Sequence, residues 1–163
     1  PALAAGCAVV LKAAPATPWA ATWLGRLVAE QTDIPAGVLN VITSQQNAIG
    51  EALCTDHRVD LVSFTGSTAT GRTVMAAAAG TLKKTFLELG GKSAYIVLDD
   101  ADAATAAIGV AFQIMAHAGQ GCAITTRLLV PRERHDEMVD QVIAMIGSIG
   151  WGDPTDPDRK SVV

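Results

Sequence analysis

Short apolar segments alternate along this chain with segments of helical periodicity. Strands separated by helices pair in parallel, with the helices as crossovers, because parallel neighbours cannot be joined by a tight turn. The alternation therefore predicts an α/β fold with a parallel sheet and helical crossovers. The predicted strands are residues 8–11, 38–42, 61–64, 85–89, 93–98 and 127–130, and the predicted helices are residues 18–32, 47–54, 69–79, 103–116 and 134–146.

The composition and net charge of the chain exclude two classes of binding partner. Hydrophobic residues make up 50% of the chain and charged residues 17%, which is typical of an α/β core rich in small aliphatic side chains. The formal net charge of −4 gives no basic surface for nucleic acid. The longest apolar candidate, residues 103–116, is too short to span a membrane. We therefore expect neither a nucleic-acid nor a membrane partner.

The spacing of the cysteines and histidines indicates the cellular compartment and whether a metal site is expected. Cys7, Cys54 and Cys122 are an odd set at irregular spacing, which disfavours a disulfide framework and predicts a cytoplasmic location. Cys7 and Cys54 are interpreted as core or incidental residues. The three histidines follow no metal-ligand spacing, so no metal site is predicted.

The ends of the sequence suggest a fragment. The 163 residues begin at Pro1 without an initiator methionine and stop at Val163 in what reads as continuing sequence. We therefore expect an internal piece of a longer protein. Residues 151–154 are predicted to be extended and turn-rich.

A cysteine and a glutamate each lie on a glycine-flanked turn. We name residues 119–122, Gly-Gln-Gly-Cys, the cysteine turn, and residues 88–92, Glu-Leu-Gly-Gly-Lys, the glutamate turn. Cys122 as thiolate would be a nucleophile, and a partly buried Glu88 could accept a proton at neutral pH. The residues alone leave open a buried core thiol and a carboxylate paired with Lys92 or a backbone amide.

Two further segments could hold a nucleotide. The helix after Ser67 presents its positive end to an anionic diphosphate at Gly66 and Ser67. Lys12 follows a strand at its carboxyl end, where open α/β sheets bind ligands, and could reach ribose hydroxyls. The alternatives are an ordinary turn, since the G-x-G-x-x-G pattern is missing, and a surface lysine.

Together these segments resemble the NAD(P)-dependent aldehyde dehydrogenase superfamily, from the first residue to about Gly152. The matching segments are residues 1–6, 9–12, 35–41, 64–68, 71–72, 87–93, 99–102, 119–122 and Arg127. The resemblance implies a Rossmann-like parallel sheet that runs into the start of a second α/β domain. Residues 1–89 would be part of the dinucleotide-binding domain, and residues 90–163 the first part of the catalytic domain.

The resemblance also implies a reaction. Cys122 attacks an aldehyde, its backbone N–H and an asparagine side chain hold the oxyanion, a hydride passes to the nicotinamide, and Glu88 activates the water that hydrolyses the thioester. Lys12 is placed at the adenosine ribose, and the Leu89 carbonyl near the nicotinamide amide. Gly66 and Ser67 are placed at the diphosphate.

Departures from the family pattern limit the detail. Pro15 stands where a ribose-binding glutamate is usual, so the expected cofactor is NAD or NADP, with NAD favoured. The oxyanion asparagine is expected before Pro1 and a second glutamate beyond Val163. We therefore predict that this chain alone is inactive and that its parent enzyme is a homo-oligomer acting on a small aldehyde.

Three other functions fit some of the residues. A CoA-acylating aldehyde dehydrogenase would use CoA in place of water, so it would not need Glu88 to activate a water. A cysteine hydrolase would pair Cys122 with His117 and need no nicotinamide. A non-catalytic α/β interaction domain would need neither side chain.

Overall fold

The computed structural model describes residues 1–150, 152, 153 and 155, so residues 151 and 154 of the predicted turn-rich tail lie outside the described residues. The strands are β1 (Val9–Lys12), β2 (Leu39–Ile42), β3 (Leu61–Gly66), β4 (Lys84–Leu89), β5 (Ser93–Ile96) and β6 (Thr125–Leu129). The helices are α1 (Pro18–Gln31), α2 (Asn47–Thr55), α3 (Thr68–Ala79), α4 (Ala103–Met115) and α5 (His135–Gly147).

The strands pair as the alternation predicts. Among the described residues they form three two-stranded pairs, β1 with β2, β3 with β4, and β5 with β6. The first and third pairs are parallel, with Val9 opposite Leu39 and Ser93 opposite Thr125 at their starts. Each parallel pair is joined through a helix, since α1 lies between β1 and β2 and α4 between β5 and β6. The predicted α/β class is confirmed.

The chain divides into two compact units. The first comprises Pro1–Phe64 and Arg72–Phe86, and the second comprises Thr65–Gly71 and the chain from Leu87 on. The assignment of residues 1–89 to dinucleotide binding and 90–163 to catalysis stays a prediction.

In the first unit, α1 packs on β2. A β-carbon at Gly25 would lie 3.0 Å from Cγ2 of Val41, so the glycine lets the helix approach the strand closely. The other side of α1 is exposed, and Trp19 keeps 83% of its surface accessible.

In the second unit, the core forms between β5, β6, α4 and α5. Val97, Ala103, Ala106 and the fully buried Met138 are its centre. Helix α4 begins at the N-cap Asp102, whose carboxylate accepts the N–H of Thr105 at 2.8 Å. Alanines on α4 allow close packing against α5.

The segment before α4 is held by one arginine. Nη1 of Arg134 donates to the carbonyl oxygens of Leu98, Asp99 and Ala101, at 3.3, 3.1 and 2.7 Å. The Leu98 carbonyl also accepts the N–H of Ala101 at 3.2 Å, so this backbone bond and Arg134 together fix the chain that enters α4. No helix among the described residues has the length and hydropathy to cross a membrane.

Candidate active site

A cavity of about 310 Å³ lies within the second unit and brings the two glycine-flanked turns together. Its walls are the end of β3 at Thr65 and Gly66, the whole glutamate turn, the whole cysteine turn, and the side chains of Ile124 and Thr126 behind them. Cys122 and Glu88 therefore face one space, which is what a nucleophile and its base require.

Cys122 lies on a turn between α4 and β6 and is exposed. The N–H of Ile124 donates to the Gly121 carbonyl at 3.4 Å and closes this turn. A β-carbon at Gly121 would lie 2.6 Å from Cγ2 of the buried Ile124, so a side chain at Gly121 would displace the turn. The backbone N–H of Cys122 has no hydrogen-bond partner among the described residues, so it can donate to a ligand in the cavity.

The backbone before the cysteine turn is left-handed over three residues. His117, Ala118 and Gly119 have φ values of 52°, 55° and 71°. Left-handed backbone costs about 1–2 kcal/mol for a residue with a β-carbon, so the first two positions are strained. His117 does not line the cavity, so the cavity gives no support to the Cys122–His117 hydrolase.

Glu88 lies in β4 and lines the cavity, but it is exposed. The partial burial considered for Glu88 is not observed in this chain, because burial alternates along β4 and places Glu88 on the same exposed face as Phe86. Its carboxylate has no ion-pair or hydrogen-bond partner in the described part of the chain, including the suggested Lys92. Glu88 is therefore unengaged and can bind a water in the cavity.

The other predicted cofactor residues are divided between the units. Gly66 and Leu89 line the cavity, whereas Ser67 caps α3, its Oγ accepting the N–H of Thr70 at 3.1 Å. Lys12 belongs to the first unit, at the carboxyl end of β1, where its Nζ donates to the Ala13 carbonyl at 3.2 Å.

The sequence predicts neither of two structural features near the site, a bulge and a hydrogen bond, although Arg127 is among the residues that match the family pattern. Ser93 pairs with Thr125 and Ala94 with Arg127, so Thr126 is the extra residue of a β-bulge. Its Oγ1 is buried without a hydrogen-bond partner in the described residues. From the next position, Nε of Arg127 donates to the Lys92 carbonyl at 2.8 Å and joins β6 to the glutamate turn.

The other cysteines differ from Cys122 in their surroundings. Cys54 is buried, and burial raises the pKa of its thiol despite the opposing charge of Lys83. A buried thiol is a poor nucleophile, which agrees with the structural interpretation of Cys54. Cys7 is exposed but does not line the cavity.

Comparisons with a family model and with known proteins point to the same family. The model of the aldehyde dehydrogenase family matches residues 1–161. A 3-succinoylsemialdehyde-pyridine dehydrogenase from a Pseudomonas species is 43% identical over 160 residues, which are 98% of this chain and 33% of that enzyme. The chain therefore spans about a third of the length of the curated relatives it matches.

Solved structures of the same kind share the fold. A Mycobacterium tuberculosis aldehyde dehydrogenase complexed with NAD+ has a TM-score of 0.88 and 44% identity, over 95% of this chain and 32% of that one. An NADP-dependent enzyme from E. coli has a TM-score of 0.90 and 39% identity, over 95% of this chain and 32% of that one.

Proposed function

The chain belongs to the aldehyde dehydrogenase family, and from that premise we propose that the protein containing it oxidises an aldehyde to a carboxylic acid with NAD or NADP. The observation that carries this proposal is that Cys122 and Glu88 line one cavity within one compact unit. Both side chains are exposed and without partners among the described residues, as reacting groups must be before substrate binds.

Cys122 carries out the first half of the reaction, oxidation of the aldehyde to a thioester. Its thiolate attacks the carbonyl carbon and forms a thiohemiacetal, while the electron pair of the C=O bond moves to oxygen. The unpartnered N–H of Cys122 is a donor for that oxyanion, and a fixed donor there stabilises the charge as it develops. A nicotinamide bound in the cavity would supply the acceptor for the hydride of the former carbonyl carbon, and Cys122 would then hold a thioester.

Glu88 acts in the second half of the reaction, hydrolysis of the thioester. Its carboxylate takes a proton from a water, and the resulting hydroxide attacks the thioester carbon. The C–S bond breaks, which releases the carboxylic acid and restores the Cys122 thiolate. The exposure of Glu88 to the cavity leaves room for that water. A CoA-acylating enzyme would not require this carboxylate, so the position of Glu88 favours hydrolysis.

The cavity suits close approach of a dinucleotide. No atom lies within 4 Å of where β-carbons would stand at Gly90 and Gly91, so this wall is open backbone that a ring can approach. The Leu89 carbonyl would contact the nicotinamide amide, and Gly66 and Ser67 would hold the diphosphate. Lys12 would hold the adenosine ribose.

NAD and NADP both fit the proposal, and NAD is favoured. Pro15 is exposed and offers neither a carboxylate for ribose hydroxyls nor a cation for a 2′-phosphate. One solved structure similar to this chain is complexed with NAD+, and another is described as NADP dependent. We further propose a cytoplasmic, homo-oligomeric parent enzyme, and inactivity of these 163 residues by themselves.

The test uses the full-length protein that contains this chain. Absorbance of the reduced nicotinamide is followed with aliphatic, aromatic and carboxylate-bearing aldehydes, with NAD and NADP in parallel. Cys122→Ala should abolish turnover, whereas Cys7→Ala, at an exposed cysteine that does not line the cavity, should not. Turnover by the Cys122→Ala protein would refute the proposal, and product formation that requires CoA would favour the acylating alternative.

A further inference from the structure

The glutamate turn is fixed at one end by packing. Leu89, directly after Glu88, packs on Gly71 so closely that a β-carbon at Gly71 would lie 2.7 Å from Cδ2 of Leu89. A side chain held this tightly fixes the backbone where β4 ends. The position of Glu88 is therefore determined by the contact of the next residue along the chain, Leu89, with α3.

The middle of the turn has no such support. Gly90 and Gly91 lack side chains, and no heavy atom lies within 4 Å of where their β-carbons would stand. Two consecutive glycines with open space around them give the backbone many accessible conformations. The turn keeps one conformation only if its far end is also held.

Arg127 holds that far end. Its Nε donates to the Lys92 carbonyl at 2.8 Å, across a sequence separation of 35 residues. The bulge at Thr126 contributes to this contact, because it places Arg127 opposite Ala94 where an unbroken ladder would place Thr126. That shift brings Arg127 one residue, about 3.3 Å of strand, closer to Lys92.

The nucleophile lies on the turn that leads into the same strand. Cys122 is three residues before Thr125, the first residue of β6, and the glutamate turn leads into β5 at Ser93. Because β5 and β6 are parallel, both turns reach the sheet at the same edge. The hydrogen bond from Arg127 therefore joins the two turns that carry Cys122 and Glu88.

We propose that Arg127 is a positioning residue for thioester hydrolysis, which holds the glutamate turn through the Lys92 carbonyl and so keeps Glu88 directed at the thioester on Cys122. The inference rests on the proposed function. It assigns Arg127 no contact with substrate. The guanidinium acts only through the backbone of Lys92.

The test separates the two halves of the reaction in the full-length protein. Rapid-mixing absorbance gives the burst of reduced nicotinamide, which reports thiohemiacetal oxidation, and the steady state reports hydrolysis. Arg127→Ala should lower the steady-state kcat about ten- to hundredfold, the value of one charged hydrogen bond, and change the burst rate and the aldehyde KM by less than about twofold. Arg127→Lys, which keeps a donor of shorter reach, should recover part of the loss.

A double variant distinguishes positioning from general damage. If Arg127 acts through Glu88, adding Arg127→Ala to Glu88→Gln should lower kcat by less than about a further twofold. Full additivity of the two losses would overturn the inference, as would an equal fall of burst and steady-state rates. Failure of Glu88→Gln itself to slow the steady state would instead overturn the proposed function.

Two controls keep the result interpretable. Arg26→Ala removes an exposed ion pair with Glu30 in α1 and should leave both rates unchanged. If Arg127→Ala does not fold, as judged by thermal unfolding, the comparison moves to Arg127→Lys. Slower hydrolysis with an unchanged burst in Arg127→Lys would support the inference. If Arg127→Lys lacks the hydrogen bond to the Lys92 carbonyl and still has wild-type rates, the inference is overturned.

Discussion

Gly71 and Leu89 pack so tightly that there is no room for a methyl group between them. A β-carbon at Gly71 would lie 2.7 and 3.0 Å from the two Cδ atoms of Leu89 and 3.4 Å from its Cγ. Gly71 is buried in α3, and Leu89 is the last residue of β4, directly after Glu88. A small residue in a helix thus sets the place of a proposed catalytic carboxylate.

Gly71→Ala should destabilise the protein even though alanine favours helices. In an open helix the change would stabilise by about 1 kcal/mol. Here the clash should cost about 1–3 kcal/mol, so the unfolding midpoint should fall. Leu89→Ala in the same chain makes room and should remove the clash. Gly147→Ala, in α5 with nothing within 4 Å of the added carbon, is the control and should not lower the midpoint.

Gly121→Ala should slow the chemistry of Cys122. The new methyl would lie 2.6 Å from Cγ2 of Ile124, and the buried Ile124 cannot move away easily, so the cysteine turn must shift. A misplaced nucleophile should slow the burst about tenfold or more. Ile124→Leu removes the branch at the β-carbon, and the double variant should recover the burst. An unchanged burst in Gly121→Ala would show that the turn absorbs the methyl group.

The elements of this fold could be predicted because their ends carry local signals. Pro18 begins α1 as the sequence predicts, and Asp102 caps α4 through the N–H of Thr105. These boundaries depend on neighbouring residues alone. The predicted pair of Cys122 and Glu88 in one cavity depended on the family resemblance, since nothing local to either turn specifies the other.

Other features depend on the packing of distant segments. Nothing in the residues around Thr126 indicates a bulge, because the bulge is a property of the register between β5 and β6. The sequence left the burial of Glu88 open, and the alternation along β4 exposes the face that carries both Phe86 and Glu88. Strand residues alone could not show which face would be covered.

Ala118→Gly should stabilise the protein. Ala118 has a φ of 55°, a conformation that costs about 1–2 kcal/mol with a β-carbon and nothing for glycine. The greater freedom of glycine in the unfolded chain offsets about 0.5–1 kcal/mol of that gain. The urea midpoint should therefore rise slightly. Ala123→Gly, in the turn after Cys122 and without a positive φ, is the matched control and should lower the midpoint.

Asp102 should give the protein a pH-dependent stability below about pH 4, the ordinary range of aspartate. The N–H of Thr105 at 2.8 Å, its hydroxyl and the charge of Arg134 lower the pKa of Asp102 in the folded state. A carboxylate whose pKa is lowered by folding contributes its full stabilisation at a pH above its unfolded-state pKa. That contribution is lost as the pH falls through the folded-state pKa.

Asp102→Asn keeps a neutral cap without a titrating charge. The difference in thermal midpoint between wild type and Asp102→Asn should therefore be constant from pH 7 to pH 5 and shrink toward pH 3. Asp102→Ala, which has no cap, should have a lower midpoint than Asp102→Asn throughout that range. A difference that persists unchanged at pH 3 would contradict the assignment of the effect to the charge of Asp102.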